Sequence, residues 1–393
     1  MRKIRKNSLI ILASAVFAIN IPLSAHASSE FKVSRDNERI FLEGPCTDFR
    51  AQIDALISWK EKLGEKAQAE VKIEQPDEKN CKAEISGILT EFVSHNFDRD
   101  PLKSQSVCFN TALVSSGVIA GIRTSNTNEI DFWLHSDLCR EVDQRSEALM
   151  PGDIGYISQE DSRGGPWNGY HAFVYLTPEL AFEGLPDPSN FTTLKAVRND
   201  WNPSSFSYSY YRCKTAEEYI LGELIPGIED ASLKTELTDL YNHSVFDDKT
   251  LSKYSQGINS GSPELFEIKA RSETALKLLT QAIVESEDAW VESIMDSLPE
   301  HERQRFMSDK KSSSSLRVYL LDKLIKRYQM EKKYGMKIGE PPELTVMKAI
   351  YYTYSAIDYE LRTMGFFEPE KENRKKSENN NGKISSKAQN LKE

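Results

Sequence analysis

A cysteine that opens an apolar helix and a histidine that opens an apolar strand are the residues of this chain best suited to chemistry. The first stands in Val107-Cys108-Phe109-Asn110-Thr111-Ala112-Leu113, the second in Tyr170-His171-Ala172-Phe173-Val174-Tyr175-Leu176. Between them, Pro151-Gly152-Asp153 reads as a tight turn and Ile154 to Ile157 as the short strand it launches. A thiolate is the nucleophilic form of cysteine, and an imidazole can take its proton and give it back. A Cys–His pair brought together by a fold therefore supports attack on a carbonyl. Cys108 in the first turn of a helix would meet free N–H groups and the positive end of the dipole, both of which favour a thiolate. A buried free cysteine in a core helix is the plainer account of the same residue.

The elements that must position this pair follow from periodicity. Cys108 to Ile122 reads as a helix with Leu113, Val114, Val118 and Ile122 on its core face, capped by Ser104 or Ser106. His171 to Leu176 alternates as a strand, with His171, Phe173 and Tyr175 on one face, and Leu180 to Glu183 pairs back beyond the turn at Pro178. Upstream, Phe49 to Ala67 and Ile85 to Val93 have helical spacing, and Val71 to Ile73 is a short strand. Asp131 to Val142 reads as a further helix carrying Phe132, Trp133, Leu138 and Cys139. His135 on that helix reads as a surface residue, and His243 and His301 have no neighbouring nucleophile.

The chain has 393 residues, enough for two ordinary domains. Asp and Glu number 60 against 50 Lys and Arg, so the net charge of −10 argues against a general nucleic-acid surface. Met1 to Lys6 is basic, Ser8 to Leu23 is apolar, and Ala25-His26-Ala27 is a small-x-small site, which together read as an export signal cleaved before Ser28. An uncleaved anchor is the alternative, although the run is short and holds Asn20 and Pro22. No later stretch has transmembrane length, so the mature chain is expected to lack a membrane span.

Export changes the meaning of the five cysteines. Four can pair and one is left over; Cys108 is the natural odd one because it alone has a nucleophile's context. Three pairings are open, and chain order prefers Cys46–Cys81 with Cys139–Cys213. There is no Cys-x-x-Cys and no His-x-x-x-His, so no metal and no other cofactor is expected.

Helix-borne Cys108, then Pro151-Gly152-Asp153 with its strand, then the His171 strand resembles the NlpC-type, papain-like cell-wall cysteine hydrolases. The resemblance covers roughly Phe92 to Asp187, and the separation of 63 residues (171 − 108) is of the family's size. It implies an α+β papain-like domain with a short antiparallel sheet and N-terminal helices, Cys108 as nucleophile and His171 as general base. The family's third polar residue falls on the following strand, where this chain has Glu183, with Asn190 as the fallback. That group orients the imidazole and stabilises its cation. The family more often has His or Asn there; the related CHAP-type amidases can use Glu. Val107-Cys108-Phe109-Asn110 departs from the family's Asp-Cys-Ser-Gly, and the family's upstream Tyr is missing. His95 or Asn96 falls near its place, and Gln105 is another oxyanion candidate beside the Cys108 backbone N–H. Trp167 and Trp133 are candidates for a substrate cleft, and equally for core packing.

The resemblance points to a peptidoglycan amide or another peptide as substrate, in the periplasm, the cell envelope or outside the cell. A non-catalytic papain-like protein of envelope binding or assembly is the second reading, and a protease or transglutaminase-like toxin the third. The chain then divides into a signal peptide (1–27), the hydrolase domain (28–213), an α-helical region (214–366) and a disordered polar tail (367–393). In the helical region Ser262-Pro263-Glu264 is a strong start signal for a helix to about Glu287, followed by another to Leu298. Pro342 to Met364 carries Met347, Ile350, Tyr351, Tyr354, Ile357 and Leu361 along one face. The region reads as a helical bundle and as a candidate surface for a protein partner.

Overall fold

The structure, a computed structural model, describes residues 31–67, 70–98, 108–121, 123–125, 127–159, 168–184, 190–254, 262–295, 300–301, 316–334 and 339–363. The export signal, Gln105, Trp167 and the polar tail lie outside these residues. The described chain is α+β, with two antiparallel sheets followed by helices.

The N-terminal part opens as a sheet, where the sequence reads only helices and one short strand. Strands β1 (Lys32–Asp36), β2 (Arg39–Pro45), β3 (Ile73–Glu74) and β4 (Asn80–Glu84) lie in the order β1-β2-β4-β3. Along β2 every second residue is buried, including Ile40 and Leu42, as a half-buried strand requires. Helix α1 (Cys46–Lys62) follows directly, and the Cys46–Cys81 disulfide ties its first residue to β4. Ile85 to Val93 is not one helix: a 3₁₀ turn (Ser86–Ile88) precedes α2 (Glu91–Asn96), whose N-cap is the Thr90 hydroxyl accepting from Val93 N.

The second sheet runs β5-β10-β6-β7-β8-β9, all pairs antiparallel. Its strands are β5 (Cys139–Glu141), β6 (Asp153–Gln159), β7 (Asn168–Thr177), β8 (Leu180–Glu183), β9 (Asn190–Thr192) and β10 (Ser207–Cys213). Helix α3 (Cys108–Ser115) packs on β7 and β8 and ends earlier than the periodicity suggests, at Gly117, whose φ is 80°. Trp59 of α1 is fully buried and donates its indole N–H to Ser115 O at 2.6 Å, which fastens α1 to the end of α3. The Asp153 carboxylate accepts from Met150 N at 2.7 Å and takes Arg212 of β10 in a two-pronged pair at 2.9 and 2.7 Å. Asp153 thus closes the Pro-Gly-Asp turn and locks β6 to β10.

Asp131 to Val142 is also not a single helix. Helix α4 (Thr127–Leu134) stops where the Ser136 hydroxyl donates to Trp133 O, and Cys139 instead lies in β5, opposite Cys213, to which it is bridged. Trp133 is 2 % exposed and lies tilted against Phe132, 4.9 Å between ring centroids, so it belongs to the core and lines no cleft. Both disulfides follow the preferred order, and Cys108 is free. Mass mapping of the oxidised, denatured protein is therefore expected to find one reactive thiol, on Cys108. Removing either bridge is expected to cost about 2–5 kcal/mol in a denaturant melt. A bridged Cys108 would contradict this fold.

Among the described residues, the main helical segments come after α5 (Leu194–Asp200). They are α6 (Ala216–Tyr219, continuing through a π-turn at Ile220–Leu224), α7 (Ala231–Tyr254), α8 (Pro263–Met295), α9 (Leu316–Tyr334) and α10 (Pro342–Thr363). Helix α8 is continuous where the sequence suggests two helices. Helix α10 packs on α7 and α8 and is buried nearly all round, which makes it the centre of the bundle. Phe132 of α4 meets Tyr352 of α10 at 5.0 Å, and one cluster of buried residues runs from Phe31 to Leu361. The helical region is therefore packed onto the sheet part through a shared core. No helix among the described residues is long and apolar enough to cross a membrane.

Candidate active site

His171 and Glu183 meet because of strand register. Phe173 of β7 lies opposite Glu183 of β8, so Glu183 is the diagonal neighbour of His171 on the same face. His171 Nε2 and Glu183 Oε2 are 2.7 Å apart, with both residues buried. Asn190, the fallback, is an exposed residue of β9 opposite Glu183. The Cys108 side chain hydrogen-bonds His171 as well. With Nε2 committed to Glu183, Nδ1 is the ring nitrogen left for the sulfur. Cys108 is half-buried while His171 is 2 % exposed, so the sulfur is at the more accessible end of the set.

A bulge shapes this end of β7. Ile157 pairs with His171 but Ser158 pairs with Gly169, which leaves Tyr170 as the extra residue. Neighbours on a regular strand point to opposite faces. Here both reach Trp201: the His171 ring stacks on it at 5.3 Å with 10° between planes, and the Tyr170 ring lies 6.4 Å away. Phe206 completes the group, 5.2 Å from Tyr170 and 5.3 Å from Trp201. Trp201 and Phe206 carry no local motif. Their only signal in the sequence is the aromatic richness of the segment from Asn190 to Ser209.

Burial pulls the His171 pKa down, but the contacts with Cys108 and Glu183 outweigh it and hold it up at about 9. The folded value thus exceeds the unfolded one near 6.5. The stability this supplies is complete below pH 6.5 and is lost as pH rises through 9. Denaturant melts at pH 6 and pH 9.5 are expected to show the advantage of the wild type over His171→Gln shrinking by about 3 kcal/mol. An advantage that does not change with pH would show that the imidazolium is not what the site stabilises.

Tyr156 of β6 donates its hydroxyl to Asp131 Oδ1 at 2.6 Å in a fully buried pair, and burial raises the Asp131 carboxyl to about 7 against the effect of that bond. Just past the end of α4, His135 is half-buried rather than a surface residue. Burial, with Arg327 nearby, lowers its pKa to about 3, so it is neutral at pH 7. Among the oxyanion candidates, Asn96 is 1 % exposed, with Nδ2 donating to Phe92 O at 2.8 Å and Oδ1 without a partner. Its amide is thus engaged within its own helix. His95 is half-buried on the same helix, which packs against α3.

No family model matches this chain, and comparison with curated proteins and with solved structures yields no match.

Proposed function

We propose that the chain is an exported thiol hydrolase of papain-like fold that cleaves an amide bond, with peptidoglycan as its substrate. The observation that carries this reading is the contact series Cys108–His171–Glu183, with the sulfur at the accessible end and the carboxylate at the closed end. The two disulfides fit an oxidising compartment.

In the proposed reaction the Cys108 thiolate attacks the amide carbonyl, and the backbone N–H at the start of α3 takes the developing oxyanion. His171 gives its Nδ1 proton to the leaving amine as the C–N bond breaks, and a thioester remains on Cys108. Water then attacks the thioester and passes a proton to His171. The C–S bond breaks, the acid leaves, and thiolate and imidazolium are restored. Glu183 keeps the ring oriented and stabilises its cation throughout. Peptidoglycan enters through the resemblance of the Cys108, Pro151-Gly152-Asp153 and His171 segments to the NlpC-type hydrolases.

The test incubates purified sacculi, and separately an unfolded protein, with the wild type and with Cys108→Ala. Release of new amines from sacculi by the wild type alone is the expected result. Release from the protein alone would move the substrate to polypeptide. No release from either, with an inert Cys108, would favour a binding role for the same fold.

A further inference from the structure

The geometry points to an apolar subsite for the leaving amine of the substrate, formed by Tyr170, Trp201 and Phe206. It rests on the assignment of Cys108 as nucleophile and His171 as proton donor. Acylation leaves the acyl group on the sulfur and sends the amine out past the imidazole that protonates it. Whatever the amine carries must therefore lie on the His171 side of the scissile bond. On that side Trp201 lies flat against the imidazole, 5.3 Å between centroids, and Phe206 and Tyr170 extend the ring surface outward. Tyr170 is 41 % exposed, whereas Trp201 and Phe206 are half-buried against the small core of Phe173, Val197 and Tyr210.

Two features separate this surface from ordinary packing. A bulge puts Tyr170 on the Trp201 side, where a regular strand would turn it away. The rings meet edge to face, at 70° and 85°, which braces an exposed aromatic edge in one place. A fixed aromatic edge beside an accessible nucleophile takes up flat or apolar groups and offers little to a carboxylate. The ligand class is thus an amide whose amine carries an aromatic or bulky aliphatic group, whichever polymer supplies it.

The test uses the full chain with Cys108→Ala, so that no covalent step enters. NMR titration compares N-acetylglycine benzylamide, N-acetylglycine ethylamide and N-acetylglycylglutamate. The benzylamide is expected to bind about tenfold more tightly than the other two, the size of one or two good aromatic contacts. Tyr170→Ser should remove most of that preference and Tyr170→Phe should keep it; Phe206→Ser is the second variant. Equal affinities for the three amides, or a preference that survives both serine variants, would overturn the subsite. Iodoacetamide labelling of Cys108 in the wild type judges the nucleophile separately, so failure of the subsite and failure of the thiol reading give different results.

Discussion

Iodoacetamide is expected to alkylate Cys108 readily at about pH 6, and His171→Ala is expected to return the labelling profile to that of an ordinary thiol. An unassisted thiol titrates near about 8.5, so only about 0.3 % of it is thiolate at pH 6. An imidazolium that keeps its proton up to about 9 is the neighbour a thiolate needs at that pH. A stabilised thiolate is also a weaker nucleophile, with a Brønsted slope of about 0.4–0.5, which offsets much of the gain in population. The two effects leave about a tenfold faster reaction at pH 6 in the wild type than in His171→Ala. Hydrolysis should fall much further, because the variant also loses the group that protonates the amine, a loss of about 10²–10⁴ for the proton transfers alone. Glu183→Gln should lie between: the ring keeps a polar partner on Nε2 but loses the charge that stabilises its cation. Labelling that begins only above about pH 8 in the native protein, unchanged by His171→Ala, would rule out the thiol hydrolase reading.

Much of this site was legible in the sequence because its parts lie on regular elements. The Cys108 helix, the Pro151-Gly152-Asp153 turn and the His171 strand each announce themselves by local pattern. Once Leu180 to Glu183 is read as the returning strand, register alone brings Glu183 to His171. The residues that escaped are those placed by distant partners. Strands β1 and β2 carry Lys32, Arg35, Asp36, Arg39 and Glu43 among few apolar residues, so their alternation is too short to stand out. Cys139 sits in a stretch of helical spacing, yet pairing with Cys213 puts it in a strand: tertiary contact overrides propensity there. His135 looked solvated because no local pattern reveals that a helix nearly 200 residues downstream brings Arg327 near it. Tyr170 reaches Trp201 only through a bulge, which no spacing rule signals.

Arg123→Ala is expected to destabilise the fold by about 3–5 kcal/mol. Arg123 is fully buried between two acids from different parts of the sequence. Its Nη1 and Nη2 meet Glu129 at 2.7 and 2.6 Å, and its Nε stands 3.0 Å from Asp248 Oδ1. Glu129 is 1 % and Asp248 2 % exposed. Asp248 belongs to α7, whereas Glu129 belongs to α4, so the guanidinium ties the helical region to the sheet part. Gly121 permits the approach: a Cβ there would lie 2.6 Å from Asp248. Nearby, Glu360 of α10 accepts from Thr124 N at 2.6 Å and makes a second tie. Alanine would leave two carboxylates buried without their cation, and the cost comes from those orphaned charges more than from the lost attraction. Two consequences follow that a simple cavity would not produce. Burial already raises the Asp248 carboxyl, and Arg123 restrains that rise. Without the arginine Asp248 would take up a proton more readily, so the penalty should shrink as pH falls towards 5, a neutral carboxyl being cheaper to bury. Replacing Arg123, Glu129 and Asp248 together by Met and Leu should recover most of the loss, because no charge is then stranded. Denaturant midpoints at unchanged m-value measure both. A single variant within 1 kcal/mol of wild type, or a triple variant as unstable as the single one, would show that this cluster does not hold the two parts together.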